Sequence, residues 1–490
     1  MTKADMDEKQ VRASLDEIVG QIRRYVPSMA PYFEIGASLG EYAAELHPAH
    51  VDPVHAARQG RFAAAVGRVL AQAFGPAAPA NPVTAADVRA VNIVDHHQLL
   101  NHPLLLGTNI IANADRLTGA GPRRPVITLS CSNVAPGNHY MRGGFRYRGE
   151  TVAYFAAKEH RDAMYYAPVR PFDFVERLRA LKRWSRFGPD EQEFLTGYQA
   201  TLNGLDHAHT HRHRDQLAVA LRATWPLLFS PALRPRLPEL LYATMEDVTR
   251  ECLLDLLPED NALSAALLDA SFRGRVLDAF RGITVAWDEA AGKGTHFFWR
   301  RRPGRRQLLR MYVEGPDLVP ADARFRDLRV PLERAALCDH LRREEIIPSV
   351  ALCVSVLLHA GVKPLVGPGS LVYTTRLRDG WTDLLRRHGQ PSEADLVAGI
   401  DTGGMIAGTP MFFARAGAKV RTLYAADVFS QGGVSEQYVK SVLNAPVKDL
   451  LSVGSSGVYD LFRHSYIPAE RQLTERVGFD EAAAVVHTWL

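Results

Sequence analysis

Cysteine is scarce in this sequence: Cys131, Cys252, Cys338 and Cys353 are all there are, and no two of them form a CxxC pair. That spacing excludes a disulfide framework and a thiolate zinc knot, and it fits a reducing, cytoplasmic setting. Long apolar runs are missing too. No stretch approaches the roughly 20 residues that a membrane span requires. The first residues, MTKADMDEKQVRASLDEIVGQIRR, are charged and helical in pattern, so neither an export signal nor a membrane segment is expected. A surplus of one charge is also absent, since 58 Lys and Arg face 54 Asp and Glu. A net +4 does not make a nucleic-acid footprint. The one dense basic run, Arg300, Arg301, Arg302, Arg305 and Arg306, has Pro303-Gly304 at its centre and reads as a solvated β-turn, with a phosphate grip as the alternative. Internal repeats and low-complexity tracts are absent as well.

What is present is the balance of an ordinary globular protein, 47% hydrophobic and 23% charged. A chain of 490 residues exceeds what one core usually supports, so several units are expected. Residues 1–85 read as a helical N-terminal region, with apolar residues at helical spacing from Val11 to Leu70 and a breaker stretch after them. Residues 86–171 read as the first part of an α/β core, in the order strand (AVNIV), loop, helix (HPLLLGTNIIANADRL) and strand (RPVITLSCSNV). Residues 172–285 read almost wholly as a helical insertion, and residues 286–490 as the second part of the core. There THFFW and QLLRMYVEG flank the Arg-rich turn as a hairpin, and VKPLVGPGS and AKVRTLYAAD are strand-like. Gly403-Gly404, Gly432-Gly433 and SVGSSG at 452–457 read as loops.

A β-α-β unit puts the loop after its first strand at the carboxyl edge of a parallel sheet, where α/β proteins bind ligands. Asp95, His96, His97 and Gln98 fall at that position, followed by Asn101, His102 and a Pro103 suited to a first helical turn. An imidazole oriented by a carboxylate is a general base, and a helix start offers N–H groups to an anion; the alternative is a packed histidine with Asp95 as a cap. The next strand end carries Cys131, Ser132, Asn133, Asn138, His139 and Arg142. A nucleophile near His139 is arithmetically open, while Asn133 and Arg142 suit an amide contact and a carboxylate clamp, and Cys131 suits packing. Lys158 and Arg161 follow the strand-like VAYFAA and suit acidic substrate groups or a surface helix start. The loop Gly367, Pro368, Gly369, Ser370 lets backbone approach an anion, with Tyr373 and Arg376 on the next helical turns. Asp401 with Thr402, Gly403 and Gly404 makes either an anion loop or a tight turn.

The order of features from THFFWRRRPGRRQLLRMYVEG to GVKPLVGPGSLVYTTRLRDGW resembles the bacillithiol synthase family, in which a hairpin precedes a helix-strand pair ending in a GPG loop. Tyr373 looks like the tyrosine of that family's following helix. Upstream, VDHHQLLNHPLLLGTNII resembles its TGHQ-type strand end. The likeness covers about a quarter of the chain. It implies a Rossmann-like parallel-sheet core with helical appendages and a C–N bond-forming ligase that joins cysteine to an amino sugar conjugate; the cofactor is left open, with a nucleotide compatible with the resemblance and a metal less favoured. Where the family has an acidic-histidine cluster, this chain has SCSNVAPGNHYMRGG, so the substrate pair is not carried over.

The expected activity is therefore ligation at an amine nitrogen in amino-acid or natural-product metabolism. His96 or His97 is the base, Asp95 orients it, and Gln98, Asn133 and Arg142 position the substrates. Partners are expected to be small amines or amino acids, with no nucleic acid and no membrane; a homodimer is admissible. A rival class is a metal-dependent hydrolase or oxygenase. DHAHTHRHRD alternates His207, His209, His211 and His213, so that on a helix the pairs 207/211 and 209/213 each share a face, although HExxH is absent. A third class is a non-catalytic nucleotide or metabolite sensor using the GPG and SVGSSG loops.

Overall fold

The computed structural model describes residues 7–48, 51–79, 81–100, 102–114, 117, 125–138, 141–417 and 419–489. Five strands make its central sheet: β1 (Ala90–Asn92), β2 (Val126–Ser130), β3 (Leu240–Thr244), β4 (Lys363–Val366) and β5 (Gly404–Met405). They lie in the order β5-β4-β1-β2-β3, and every neighbouring pair is parallel. Every residue of the five is buried, as a parallel sheet covered on both faces requires, and this is why the strands read as apolar runs rather than as alternating patterns. The chain builds β1, β2 and β3 outward in one direction, then returns to place β4 and β5 on the other side of β1. The neighbours β1 and β4 are thus the point at which the winding reverses.

The mixed α/β class with a parallel sheet is as expected, but the helical reading of 172–285 needs a correction. Helices Phe174–Ala180, Pro189–Asn203 and His213–Thr224 are followed by β3, an edge strand of the central sheet, before helices Met245–Leu256, Ala262–Leu268 and Ala270–Phe280. LLYAT is five residues long, set between Pro238 and a helix start, and a run so short leaves the helical periodicity around it intact.

The N-terminal region is helical within the described residues, with helices Glu8–Tyr25, Leu39–Ala44 and Pro53–Phe74. The first opens with a capping box between Asp7 and Gln10 and buries Val11, Leu15, Ile18 and Ile22, one stripe at helical spacing. That stripe packs on helix Val447–Tyr466 near the other end of the chain. SVGSSG is not a loop: it lies inside that helix. A Cβ on Gly454 would sit 1.7 Å from the Gly408 carbonyl oxygen, and one on Gly457 2.6 Å from Leu104 Cδ1, so these glycines serve close packing.

The Arg-rich turn joins Phe298–Arg301 to Leu308–Glu314 as a hairpin, with Gly304 at φ 65°. Asp317–Pro320, Val330–Pro331 and Ile346–Pro348 extend it to a five-stranded antiparallel sheet. Its arginines meet the protein's own groups: Arg300 pairs with Glu345 at 3.1 Å, and Arg301 and Arg302 lie over the rings of Tyr166 and Phe325. The strand in AKVRTLYAAD, Lys419–Thr422, pairs with Phe413–Ala416 as a separate hairpin rather than with the central sheet. Among the described residues no helix is long and apolar enough to cross a membrane.

Candidate functional site

The carboxyl ends of β1, β2 and β4 meet at one edge. The Asn92 side chain accepts the Val94 N–H at 2.9 Å and so competes with the sheet ladder at the end of β1. Pairing with β2 resumes further on, where the Cys131 N–H donates to the Asp95 carbonyl at 2.9 Å and the His97 N–H to the Cys131 carbonyl at 3.0 Å. On the other side Ile93 donates to Leu365 at 3.1 Å, and Val94 lies against Gly367, where a Cβ would come within 3.1 Å of Val94 Cγ1. Tyr373 lies on helix Pro368–Arg387, which starts directly after Gly367. Three stretches far apart in sequence, Asp95 to Gln98, Cys131 to Asn133 and Gly367 to Tyr373, thus come together along one edge of the sheet.

Within it the histidines divide. His97 is fully buried, and both ring nitrogens are engaged, Nδ1 with Ser130 Oγ at 2.5 Å and Nε2 with the Arg214 carbonyl at 2.7 Å. Since a carbonyl only accepts, Nε2 carries the proton and Nδ1 accepts the Ser130 hydroxyl. Burial pushes this imidazole down to about 4. The expected role of His97 as a base oriented by Asp95 is therefore corrected: no ring nitrogen is left for a substrate or for that carboxylate. Asp95, also fully buried, accepts from Thr108 Oγ1 at 3.1 Å and from the Tyr242 hydroxyl. His96 is only half-buried, and burial lowers its pKa, so at neutral pH it presents a neutral imidazole at the strand end. Gln98 is buried beside it. His102 caps the short helix Pro103–Leu106 through Nδ1, which accepts the Leu104 N–H at 3.3 Å, and burial together with Arg146 brings it to about 4.

At the end of β2 the organising group is one that sequence reasoning missed. Glu246, at the start of helix Met245–Leu256, is fully buried and accepts the Ser132 N–H at 3.0 Å, the Ser132 hydroxyl at 2.7 Å and the Asn133 N–H at 2.9 Å. Ser132 is thereby held as a donor to a carboxylate rather than activated by a histidine. The Cys131 thiol faces Glu246 Oε1 at 3.6 Å and Asn133 Oδ1 at 3.3 Å; burial and the Glu246 charge raise its pKa well above the usual thiol range, so it is not a nucleophile at rest. The Asn133 side chain presents a buried Nδ2 with no protein acceptor, a donor available to a ligand. The one available signal for Glu246 was MED directly after LLYAT, an acid at a strand end, and it was hidden by the all-helix reading.

At β4, Gly367 caps helix Pro368–Arg387 without a side chain, so first-turn N–H groups such as those of Gly369 and Ser370 have no side-chain capping acceptor at the positive end of the helix dipole. Burial pushes the Tyr373 hydroxyl up to about 12, so it remains a hydrogen-bond donor. The other expected binding residues are peripheral: Asn138, Arg142, Lys158, Arg161 and Arg376 are exposed, and Arg142 sits in a turn at φ 44°. Asn101 and His139 lie outside the described residues. Asp401 proves to be a turn residue, accepting the Gly403 N–H at 2.7 Å and pairing with Lys363 at 2.6 Å.

The alternating histidines do not share helix faces. Helix Pro189–Asn203 ends before them and the next begins only at His213. His207 meets the Leu202 carbonyl at 3.0 Å, His209 packs over Gly75, His211 is exposed, and His213 is buried with Nδ1 3 residues from its partner Gln216, at 2.7 Å. Among the described residues no group of three or more His, Cys, Asp or Glu is arranged to hold a metal ion. The correction has a simple cause: Gly204 and Asp206 break the helix that the spacing presupposed. No protein-family model and no curated protein matches the chain.

Proposed function

We propose that this protein is an enzyme of small-molecule amine or amino-acid metabolism that joins an amine nitrogen to an electrophilic partner at the carboxyl edge of its parallel sheet. The observation that carries this reading is the strand order. In open α/β sheets ligands bind where the winding reverses, and here that point, between β1 and β4, is bordered by His96 and by the GPGS helix start. The order 3-2-1-4-5 is also that of Rossmann-like sheets, in keeping with the resemblance to the bacillithiol synthase family.

In this reading neutral His96 takes the proton from the attacking amine as nitrogen bonds to carbon and the leaving group departs from that carbon. The N–H groups of Gly369 and Ser370 receive an anionic group, either a substrate carboxylate or a nucleotide phosphate. Asn133 Nδ2 and the Tyr373 hydroxyl donate to the electrophile's oxygens. The substrates are cytoplasmic metabolites. Incubation with amine and amino-acid panels, with and without ATP, followed by mass spectrometry for condensed products, tests the activity. With a product in hand, His96→Gln should lower turnover by about 100-fold or more at unchanged melting temperature. Wild-type turnover in that variant would remove the base assignment.

A further inference from the structure

A cleft lies at the opposite edge of the sheet, where β4 begins and the chain enters β5. It has a volume of about 800 Å³, the size of a small-molecule site. Its acidic groups come from three separate elements: Asp52 at the start of helix Pro53–Phe74, Asp395 on helix Pro391–Ala398, and Asp401 before β5. Against them stand Lys363, paired with Asp401 at 2.6 Å, and, from outside the lining, Arg386, paired with Asp395 at 3.1 Å. The Asp395 and Asp401 side chains are 71% and 58% exposed, so both can be reached without rearrangement. The lining also includes the apolar side chains of Val51, Val54, Leu396 and Ile400.

His55 adds an independent mark. It lines the same cleft and is only 9% exposed, yet its Nε2 has no hydrogen-bond partner. Gly361, at φ 72°, keeps the ring in place: a Cβ there would lie 2.3 Å from His55 Cγ. Burial, reinforced by Arg58, lowers the imidazole's pKa, so the ring is neutral and does not offset the acidic lining.

We propose that this cleft is a second binding site and that it takes an aliphatic diamine or polyamine. Carboxylates on separate elements meet ammonium groups at the ends of such a molecule, the apolar side chains of the lining cover its methylene chain, and a ligand N–H can supply the partner that His55 Nε2 lacks. The site stands independently of the reading of the carboxyl edge.

The test is calorimetric titration and thermal shift of the full chain with cadaverine and spermidine, with pentanediol and inorganic phosphate as controls. Saturable binding of the amines with a rise in melting temperature is expected, and neither control should reproduce it. Asp395→Asn combined with Asp401→Asn should weaken the amines by about tenfold or more. Ser392→Trp, on an exposed turn of the lining helix, should block them without touching the sheet. His96→Gln should bind them as the wild type does. Absence of amine binding, equal binding of the diol, preference for phosphate, full binding in Ser392→Trp, or loss confined to His96→Gln would each overturn the proposal.

Discussion

Glu246 takes both the backbone N–H and the hydroxyl of Ser132, at 3.0 and 2.7 Å, from a position with no solvent exposure. One carboxylate on the helix after β3 thus fixes the loop at the end of β2, and with it the aim of Asn133. Removing it in Glu246→Ala strands several buried donors, and the expected cost is about 3–5 kcal/mol, read as a drop in the denaturant midpoint at unchanged slope. Glu246→Gln keeps one acceptor oxygen and should cost about 1–2 kcal/mol. Burial raises the Glu246 pKa against the opposing hydrogen bonds from Ser132 and Asn133, so above the ordinary carboxylate value the folded state holds a proton that the unfolded chain has released. Over that window the contribution of Glu246 to stability falls as pH rises. The difference between wild type and Glu246→Gln in pH-dependent unfolding should show that slope, and parallel curves would refute it.

The two adjacent histidines should separate cleanly. His97→Gln removes a buried ring bonded at both nitrogens and is expected to cost about 1–3 kcal/mol. His96→Gln, at a half-buried position, should change stability by no more than about 0.5 kcal/mol. Chemical denaturation of the two variants in parallel checks this. Equal losses would show that His96 is as much a packing residue as its neighbour.

How much of this was legible in the sequence depended on the range of the interaction. The strands around Val91, Ile127 and Leu365 and the helix start at Gly367 follow from short apolar runs and a glycine-proline step, which are local signals. The reversal of winding between β1 and β4 joins segments some 270 residues apart and leaves no local mark. His97 and His96 look alike as letters, and only Ser130 and the Arg214 carbonyl make one structural. Glu246 was hidden because LLYAT was too short to interrupt a helical pattern. Gly454 and Gly457 misled for the opposite reason: in a chain read singly they signal a loop, whereas here they bring a helix onto Gly408 and Leu104.

Acid should weaken the fold before its carboxylates titrate. Burial holds His97 and His487 at about 4 and His213 at about 3. An unfolded histidine titrates near 6.5, so as pH falls from about 6.5 to about 4 the unfolded chain takes up protons that the folded one refuses. The stability these groups provide is complete above about 6.5 and lost through that window, on the order of 3 kcal/mol each for His97 and His213. Equilibrium unfolding between those pH values should show the decline, and His97→Gln should reduce it. A flat profile would mean that these rings charge without opening the core.

Glycines in helices give the sharpest contrast. Gly454→Ala would put a methyl 1.7 Å from the Gly408 oxygen, where backbone faces backbone and no rotamer can yield. Helix Val447–Tyr466 must then move off the segment after β5, at about 3 kcal/mol or more. Gly274, in helix Ala270–Phe280, has nothing within 4 Å of its missing Cβ, so Gly274→Ala should gain about 0.5–1 kcal/mol by helix propensity alone. Melting temperatures should move in opposite directions for the two variants. If Gly454→Ala were tolerated, the close approach of helix and loop would not be tight in solution, and the packing explanation for the SVGSSG segment would fall with it.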